Sequence, residues 1–295
     1  MSLLKSITVI KSRIVPRFLN RLSFYSTSSS QNLNLNYLDG RDSGIVVLEI
    51  NRPEAKNALN RSLTNNFFHA IDSVKYDKNI RVIIVRSVVP GVFCSGADLK
   101  ERLKLTNLEV NIFVSQLRSL TTAVEDLPMP VIAAIDGAAL GGGFELALAC
   151  DMRTASDNAK LGLVETKLAI IPGAGGTQRL PRLIGPALAK ELIFTAKILT
   201  GTEALQLGVV NHTAKQNDDG NAAYLKALEV ARAIVPNGPI SLRMAKAAIN
   251  NGLEADINTG NAIEEAYYAQ LIPTKDRIEG LLAFKEKRTP VYKGE

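Results

Sequence analysis

Two glutamates stand in surroundings where a carboxylate is costly unless it is used. Glu145 opens a helical stretch directly after Leu140-Gly-Gly-Gly143. Glu165 lies in the apolar run Gly162-Leu-Val-Glu-Thr-Lys-Leu-Ala-Ile-Ile-Pro-Gly173. Glutamate is ordinarily a solvated side chain, so this context sets Glu165 apart. Two carboxyl groups in different environments can divide into a general acid and a general base. Two glycine-bearing segments accompany them. Gly91-Val-Phe-Cys-Ser-Gly-Ala-Asp98 follows a compact apolar strand and can leave backbone N–H groups exposed. Gly141, Gly142 and Gly143 fall between a strand and a helix, where they admit a ligand close to the backbone at the positive end of a helix dipole. One N–H from each loop, aimed at a single oxygen, would form an oxyanion hole. Gly96 alone is compatible with an ordinary turn. Three adjacent glycines cost more chain entropy than an ordinary turn requires.

Competing chemistries find no support. The two cysteines, Cys94 and Cys150, cannot form a disulfide framework or a multi-cysteine zinc site. The two histidines, His69 and His212, lack metalloprotease spacing, so no metal site is expected. No GK[ST] ending marks a phosphate-binding loop, and Ser95 has Phe93 two positions before it where a nucleophile elbow needs glycine. Gly173-Ala-Gly-Gly-Thr177 is only loosely like a dinucleotide turn, because it follows Ile-Ile-Pro rather than a strand.

The elements that must carry these residues alternate. Gly44–Ile50, Arg81–Arg86 and Pro130–Ile135 read as buried strands; Met152–Ala155 and Lys160–Leu163 read as short ones. Asn60–Val74 has helical spacing, with Leu63, Phe67, Ala70 and Val74 on one face, and Leu108–Val124 is a second helix. Alternating strands and helices predict an α/β core. From Thr202 onward the strand signal fades, and Thr202–Leu207, Ala222–Ile234, Ser241–Asn251 and Ile257–Leu271 read as helices. The expected organisation is a leader over 1–30, a core over 40–235 and an all-helical C-terminal region over 236–295.

Charge separates the leader from the body. Of the overall +6, five charges (Lys5, Lys11, Arg13, Arg17 and Arg21) fall within residues 1–38, which contain no Asp or Glu, leaving +1 for the rest. Bases interspersed with apolar residues and serines are the pattern of a mitochondrial presequence, and they interrupt any secretory apolar core. The matrix is the expected compartment, and its reducing conditions suit unpaired thiols. A nearly neutral body argues against sequence-independent nucleic-acid binding. No apolar run reaches the 18 or so residues of a membrane-spanning helix, so no membrane partner is expected.

From about Gly44 to Lys293 the chain resembles the crotonase, or enoyl-CoA hydratase/isomerase, family. The resemblance rests on Asn51-Arg-Pro-Glu-Ala-Lys-Asn-Ala-Leu59, Phe93-Cys-Ser-Gly-Ala-Asp-Leu-Lys-Glu101, Ile132–Ala147 and Ile171-Pro-Gly-Ala-Gly-Gly-Thr-Gln-Arg-Leu180, in that order. It implies a spiral of ββα turns, a C-terminal helical region used in trimerisation, assembly as a trimer or hexamer, and coenzyme A thioesters as substrates without a separate cofactor. It maps the oxyanion hole to the amides of Ala97 and Gly142. It places Ser95, Gly96, Asp98 and Gly141 along the substrate, Lys56 beside the CoA nucleotide, and Gly173 beside the attacking water. Glu145 and Glu165 fall on the acid/base positions of hydratases, so the implied reaction is addition of water across a 2,3 double bond. Further blocks, including Lys160–Pro172 and Ile272–Arg277, are similar to the branch of the family that hydrates 3-methylglutaconyl-CoA in leucine breakdown. That substrate has a distal carboxylate, and Lys167 is the residue expected to favour it. General short-chain enoyl-CoA hydration in fatty-acid oxidation is the alternative. Some relatives associate with RNA through a lysine-bearing helix. The corresponding Arg61, Asn65 and His69 offer one reliable charge, so RNA is not an expected partner.

Overall fold

The computed structural model describes residues 32–295; the leader expected over 1–30 lies outside them. In chain order the strands are β1 (Leu33–Tyr37), β2 (Ile45–Ile50), β3 (Val82–Ser87), β4 (Val92–Cys94), β5 (Val131–Ile135), β6 (Ala138–Leu140), β7 (Met152–Ser156), β8 (Lys160–Gly162), β9 (Leu199–Thr200) and β10 (His212–Ala214). They form two sheets, ordered β1-β2-β3-β5-β7-β10 and β4-β6-β8-β9. Three successive strand pairs, β3/β4, β5/β6 and β7/β8, each give one member to each sheet. The neighbours so created are parallel, as in β3–β5, β5–β7, β4–β6 and β6–β8. That repetition is the ββα spiral.

The helices are α1 (Arg61–Val74), α2 (Leu99–Arg102), α3 (Asn107–Glu125), α4 (Gly142–Leu148), α5 (Gly176–Ile184), α6 (Pro186–Phe194), α7 (Gly201–Gln206), α8 (Ala222–Ile234), α9 (Pro239–Gly252), α10 (Ile257–Leu271) and α11 (Lys275–Glu286). Period-two alternation in the large sheet divides its side chains between two cores. Val46, Leu48, Ile50, Ile83, Val85, Ala133 and Ile135 join the main core. Ile45, Val47, Val82, Ile84, Ile132 and Ala134 pack with Ala227, Leu228 and Ala231 of α8 on the opposite face. A parallel sheet covered on both faces carries continuous apolar runs, which is why its central strands stand out in the sequence. On the main-core side, α1 buries Leu63, Phe67, Ala70, Ile71 and Val74 and is capped by Asn60, whose side chain accepts from the Leu63 amide. Thr106 and Glu109 form a capping box that starts α3.

The structure also contains elements that the sequence pattern does not announce. A strand does occur beyond Thr202: β10 pairs in parallel with β7 at His212–Ala214. It is three residues long and has no buried position, so no apolar run announces it. β1 precedes the expected start of the core at residue 40 and pairs antiparallel with β2 over its whole length. β6 is a strand between glycines, too short to show periodicity, yet it leads straight into the triple glycine. α5 carries an internal Pro181, which obscures its helical pattern in the sequence.

Candidate active site

The Asn51–Leu59 block builds the scaffold for the first glycine-bearing loop. Asn57 is fully buried in a left-handed conformation (φ 56°). Its Nδ2 donates to Ser87 Oγ (2.7 Å) and the Phe93 carbonyl (2.9 Å), and its Oδ1 accepts from the Arg52 amide (2.7 Å). Arg52 in turn donates to the Ala58 carbonyl (2.7 Å) and pairs with Asp98 (2.9 Å). The neighbouring backbone is joined by Ser95 N to Lys56 O (3.1 Å), Leu59 N to Gly96 O (2.7 Å) and Asp98 N to Leu59 O (2.8 Å). The amides of Ser95 and Asp98 are thereby used. The amide of Ala97 has no protein acceptor among the described residues.

The second donor comes from α4. Gly142 is its first helical residue, so its amide lacks an intrahelical partner, and none is found among the other described residues. The two loops touch: a methyl group built on Gly142 would lie 3.5 Å from Ala97 N. Two glycines make this approach possible. Gly96 has φ +97°, and a Cβ there would come within 2.8 Å of the Leu140 carbonyl. Gly141 has φ 50° and ψ −126°, which turns the chain from β6 into α4. The outcome is two unsatisfied N–H groups side by side.

Both glutamates line the same cavity of about 890 Å³, together with Ser95, Gly96, Ala97, Gly141, Gly142 and Gly173. Glu145, in the first turn of α4, is 2% exposed. Its Oε1 accepts from the amides of Ala174 (2.8 Å) and Gly176 (2.7 Å). Burial pushes its carboxyl above the ordinary value, and those two amides pull it back by favouring the ionised form. Glu165 is the single buried residue of the 3-10 turn Glu165–Leu168. Its Oε1 lies 3.1 Å from where a Cβ on Gly141 would stand, so it adjoins the two free amides. Its Oε2 is buried with no hydrogen-bond partner among the described residues. Burial first, and the charge of Glu145 second, push the Glu165 carboxyl up to about 7.

The turn that holds Glu145 is itself fixed. Thr121 Oγ1 and Arg179 Nη1 both donate to the Ala174 carbonyl (2.7 and 3.1 Å), and Arg179 is ion-paired with Glu125. Arg118 Nε donates to the Gly173 carbonyl (3.2 Å). Neither arginine stands out in the sequence, because each sits on a helix whose polar face reads as solvated.

Three expected site residues lie elsewhere. The Lys56 side chain is exposed and outside the cavity wall; its backbone carbonyl is what serves the Ser95 loop. Asp98 is outside the wall because it pairs with Arg52 and caps α2, accepting from the amides of Lys100 and Glu101. Burial pushes its carboxyl up, but Arg52 and the Glu101 amide outweigh burial and leave it lowered. Lys167 is exposed and absent from the wall, to which its turn contributes Glu165 and Leu168.

A spiral of paired strands enclosing two buried carboxylates and two free amides is the arrangement of a crotonase-type protein. The profile of the family described as enoyl-CoA hydratase/isomerase matches residues 40–295, and the chain belongs to that family. It is 60% identical over 263 residues, covering 89% of this chain and 78% of the relative, to methylglutaconyl-CoA hydratase, mitochondrial, of Homo sapiens. It is 50% identical over 271 residues, 92% of each chain, to enoyl-CoA hydratase domain-containing protein 2, mitochondrial, of Mus musculus. Among solved structures, enoyl-CoA hydratase from Bacillus anthracis is similar with a TM-score of 0.85 at 47% identity, covering 90% of this chain and 100% of that one.

Proposed function

We propose that this protein is a hydro-lyase that adds water across the 2,3 double bond of 3-methylglutaconyl-CoA, giving 3-hydroxy-3-methylglutaryl-CoA. The observation that carries the mechanism is the asymmetry of the two carboxyl groups. Glu145 has two amides favouring its ionised form, which suits a general base. Glu165 has an unpartnered oxygen and a carboxyl pushed up to about 7, which suits a general acid that still holds its proton. Glu145 takes a proton from water as the water oxygen bonds to C3. Electron density moves to the thioester oxygen, which the amides of Ala97 and Gly142 stabilise. Glu165 delivers a proton to C2. The two glutamates exchange protonation states in one turnover and are reset through solvent. Every atom of the reaction comes from water, the thioester and these two side chains, so the coenzyme A is part of the substrate and no further cofactor is invoked.

The relatives named mitochondrial and the basic, acid-free leader support import into the matrix, with the first 30 or so residues as presequence. Exposed apolar side chains on the C-terminal helices, including Ile249, Leu253, Ile257 and Phe284, support assembly as a trimer or hexamer. Among the described residues no helix is long and apolar enough to cross a membrane. Arg61, the one firm charge among Arg61, Asn65 and His69 considered for RNA, is paired with Glu109.

The test is a panel of crotonyl-CoA, a longer straight-chain enoyl-CoA and 3-methylglutaconyl-CoA, assayed for hydration with the leader-free protein. The highest kcat/KM is expected with 3-methylglutaconyl-CoA. A preference for long straight chains would reassign the protein to fatty-acid oxidation, and tight RNA binding with no turnover of any thioester would refute the enzyme reading.

A further inference from the structure

The wall of the cavity carries two cations, Arg102 and Arg118, among its described residues. Apart from the Gly173 carbonyl taken by Arg118 Nε (3.2 Å), no side-chain partner is recorded for either guanidinium among the described residues. Their positions differ. Arg102 ends α2, which follows the Ser95–Ala97 loop in the chain. Arg118, on α3, is bonded to the residue before Ala174, whose amide holds Glu145. Asn111, Ser115 and Arg118 are spaced i, i+4, i+7 and all line the cavity, beside an apolar stripe of Val110, Val114 and Leu117. The α3 wall therefore offers a polar strip ending in a positive charge, next to the carboxylate that addresses C3.

The geometry points to Arg118, with Ser115 one turn before it, as the residue that selects enoyl thioesters bearing a carboxylate beyond the reacting double bond. The inference rests on the proposed hydratase reading. It follows from where that reading puts the atoms. In 3-methylglutaconyl-CoA the carboxylate is two bonds past C3, and C3 is the carbon that receives water from Glu145. The tail must then lie near the elements that hold Glu145, and Arg118 is bonded to one of them, the Gly173–Ala174 turn. The positive field of Arg118 also acts on Glu145, favouring its ionised form as the smallest influence after burial, the two amides and Arg179. Without such a cation, an anionic tail would face an ionised Glu145 across an apolar wall, and like charges there repel strongly. A guanidinium meets a carboxylate with two parallel N–H bonds, and the two terminal nitrogens of Arg118 have no hydrogen-bond partner among the described residues. The positive charge expected at Lys167 is thus supplied from a different element.

The experiment compares kcat/KM for 3-methylglutaconyl-CoA and crotonyl-CoA in the wild type, Arg118→Leu and Arg118→Lys. The wild type is expected to prefer the carboxylate substrate. Arg118→Leu is expected to lower that preference on the order of 10-fold, chiefly through KM for 3-methylglutaconyl-CoA. Arg118→Lys is expected to recover part of it. The same substitution to Leu should weaken inhibition by glutaryl-CoA more than inhibition by butyryl-CoA. An unchanged preference in Arg118→Leu, or equal rises in KM for both thioesters, overturns the assignment while leaving the hydratase reading in place. A wild type that prefers crotonyl-CoA overturns the substrate reading and this assignment together. Because the preference is a ratio within one protein, a fall in total activity does not obscure it.

Discussion

Replacing Glu165 by Gln should separate two properties that the native residue combines. Glutamine keeps the shape but has no proton to deliver to C2, so kcat for hydration is expected to fall about 10²–10⁴-fold. Stability is expected to move the other way, and increasingly as the pH rises from 4.5 through about 7. The Glu165 carboxyl is held up to about 7 in the fold against an ordinary 4.5. The folded chain therefore binds this proton more tightly than the unfolded chain does. Its contribution to stability is fully present below 4.5 and is lost as pH rises through 7. Above that range the native protein carries an ionised group with an unpartnered Oε2 beside Glu145. The gap corresponds to about 3 kcal/mol, and solvent in the open cavity reduces it to about 1–2 kcal/mol. Glu165→Gln is expected to match the wild type in urea unfolding at about pH 5 and to exceed it by about 1–2 kcal/mol at about pH 8. Activity is followed in parallel by loss of the conjugated thioester absorbance of crotonyl-CoA. A variant that keeps near-native activity, or a stability difference that is the same at both pH values, would refute the reasoning.

Other perturbations have equally definite outcomes. The pH profile of kcat/KM should decline on its alkaline side as Glu165, poised near 7, loses its proton, and Glu165→Gln should abolish that limb. Gly142→Pro removes one amide donor at a first helical position that tolerates proline; kcat is expected to drop about 10²–10³-fold with the circular dichroism spectrum preserved. Asp98→Asn should destabilise the fold by about 1–3 kcal/mol through the loss of the Arg52 pair. Because the Asp98 carboxyl is lowered in the fold, wild-type stability from this group is present above its ordinary 3.8 and lost as pH falls below it, and the variant should lack that dependence in acid unfolding.

The order of elements along the spiral was legible wherever burial imposes a pattern. β2, β3 and β5 are covered on both faces and read as apolar runs, while α1, α8 and α10 stand within one residue of their expected bounds. Strands of two or three residues, such as β4, β6 and β9, are too short for a period to register. The site divides along similar lines. Glu165 was conspicuous because an acid in an apolar run is rare, and the triple glycine because ordinary turns do not need it. The neighbours of these residues left no local trace. Ala174 and Gly176 hold Glu145 through backbone amides, which carry no residue signature. Arg118 and Arg179 reach the site from helical faces that look solvated. Lys56, through its carbonyl, and Asp98, through Arg52, also fix the loop that presents Ala97, a role that no residue pattern announces.

In the proposed mechanism one thioester oxygen lies between two amides, and the C2–C3 bond lies between two carboxyl groups. A crystal structure with bound 3-hydroxy-3-methylglutaryl-CoA measures this directly. The thioester oxygen is expected about 2.7–3.1 Å from both Ala97 N and Gly142 N, with the 3-hydroxyl against Glu145 and C2 facing Glu165. A thioester oxygen bonded to neither amide, or a C3 turned away from both glutamates, would contradict the account.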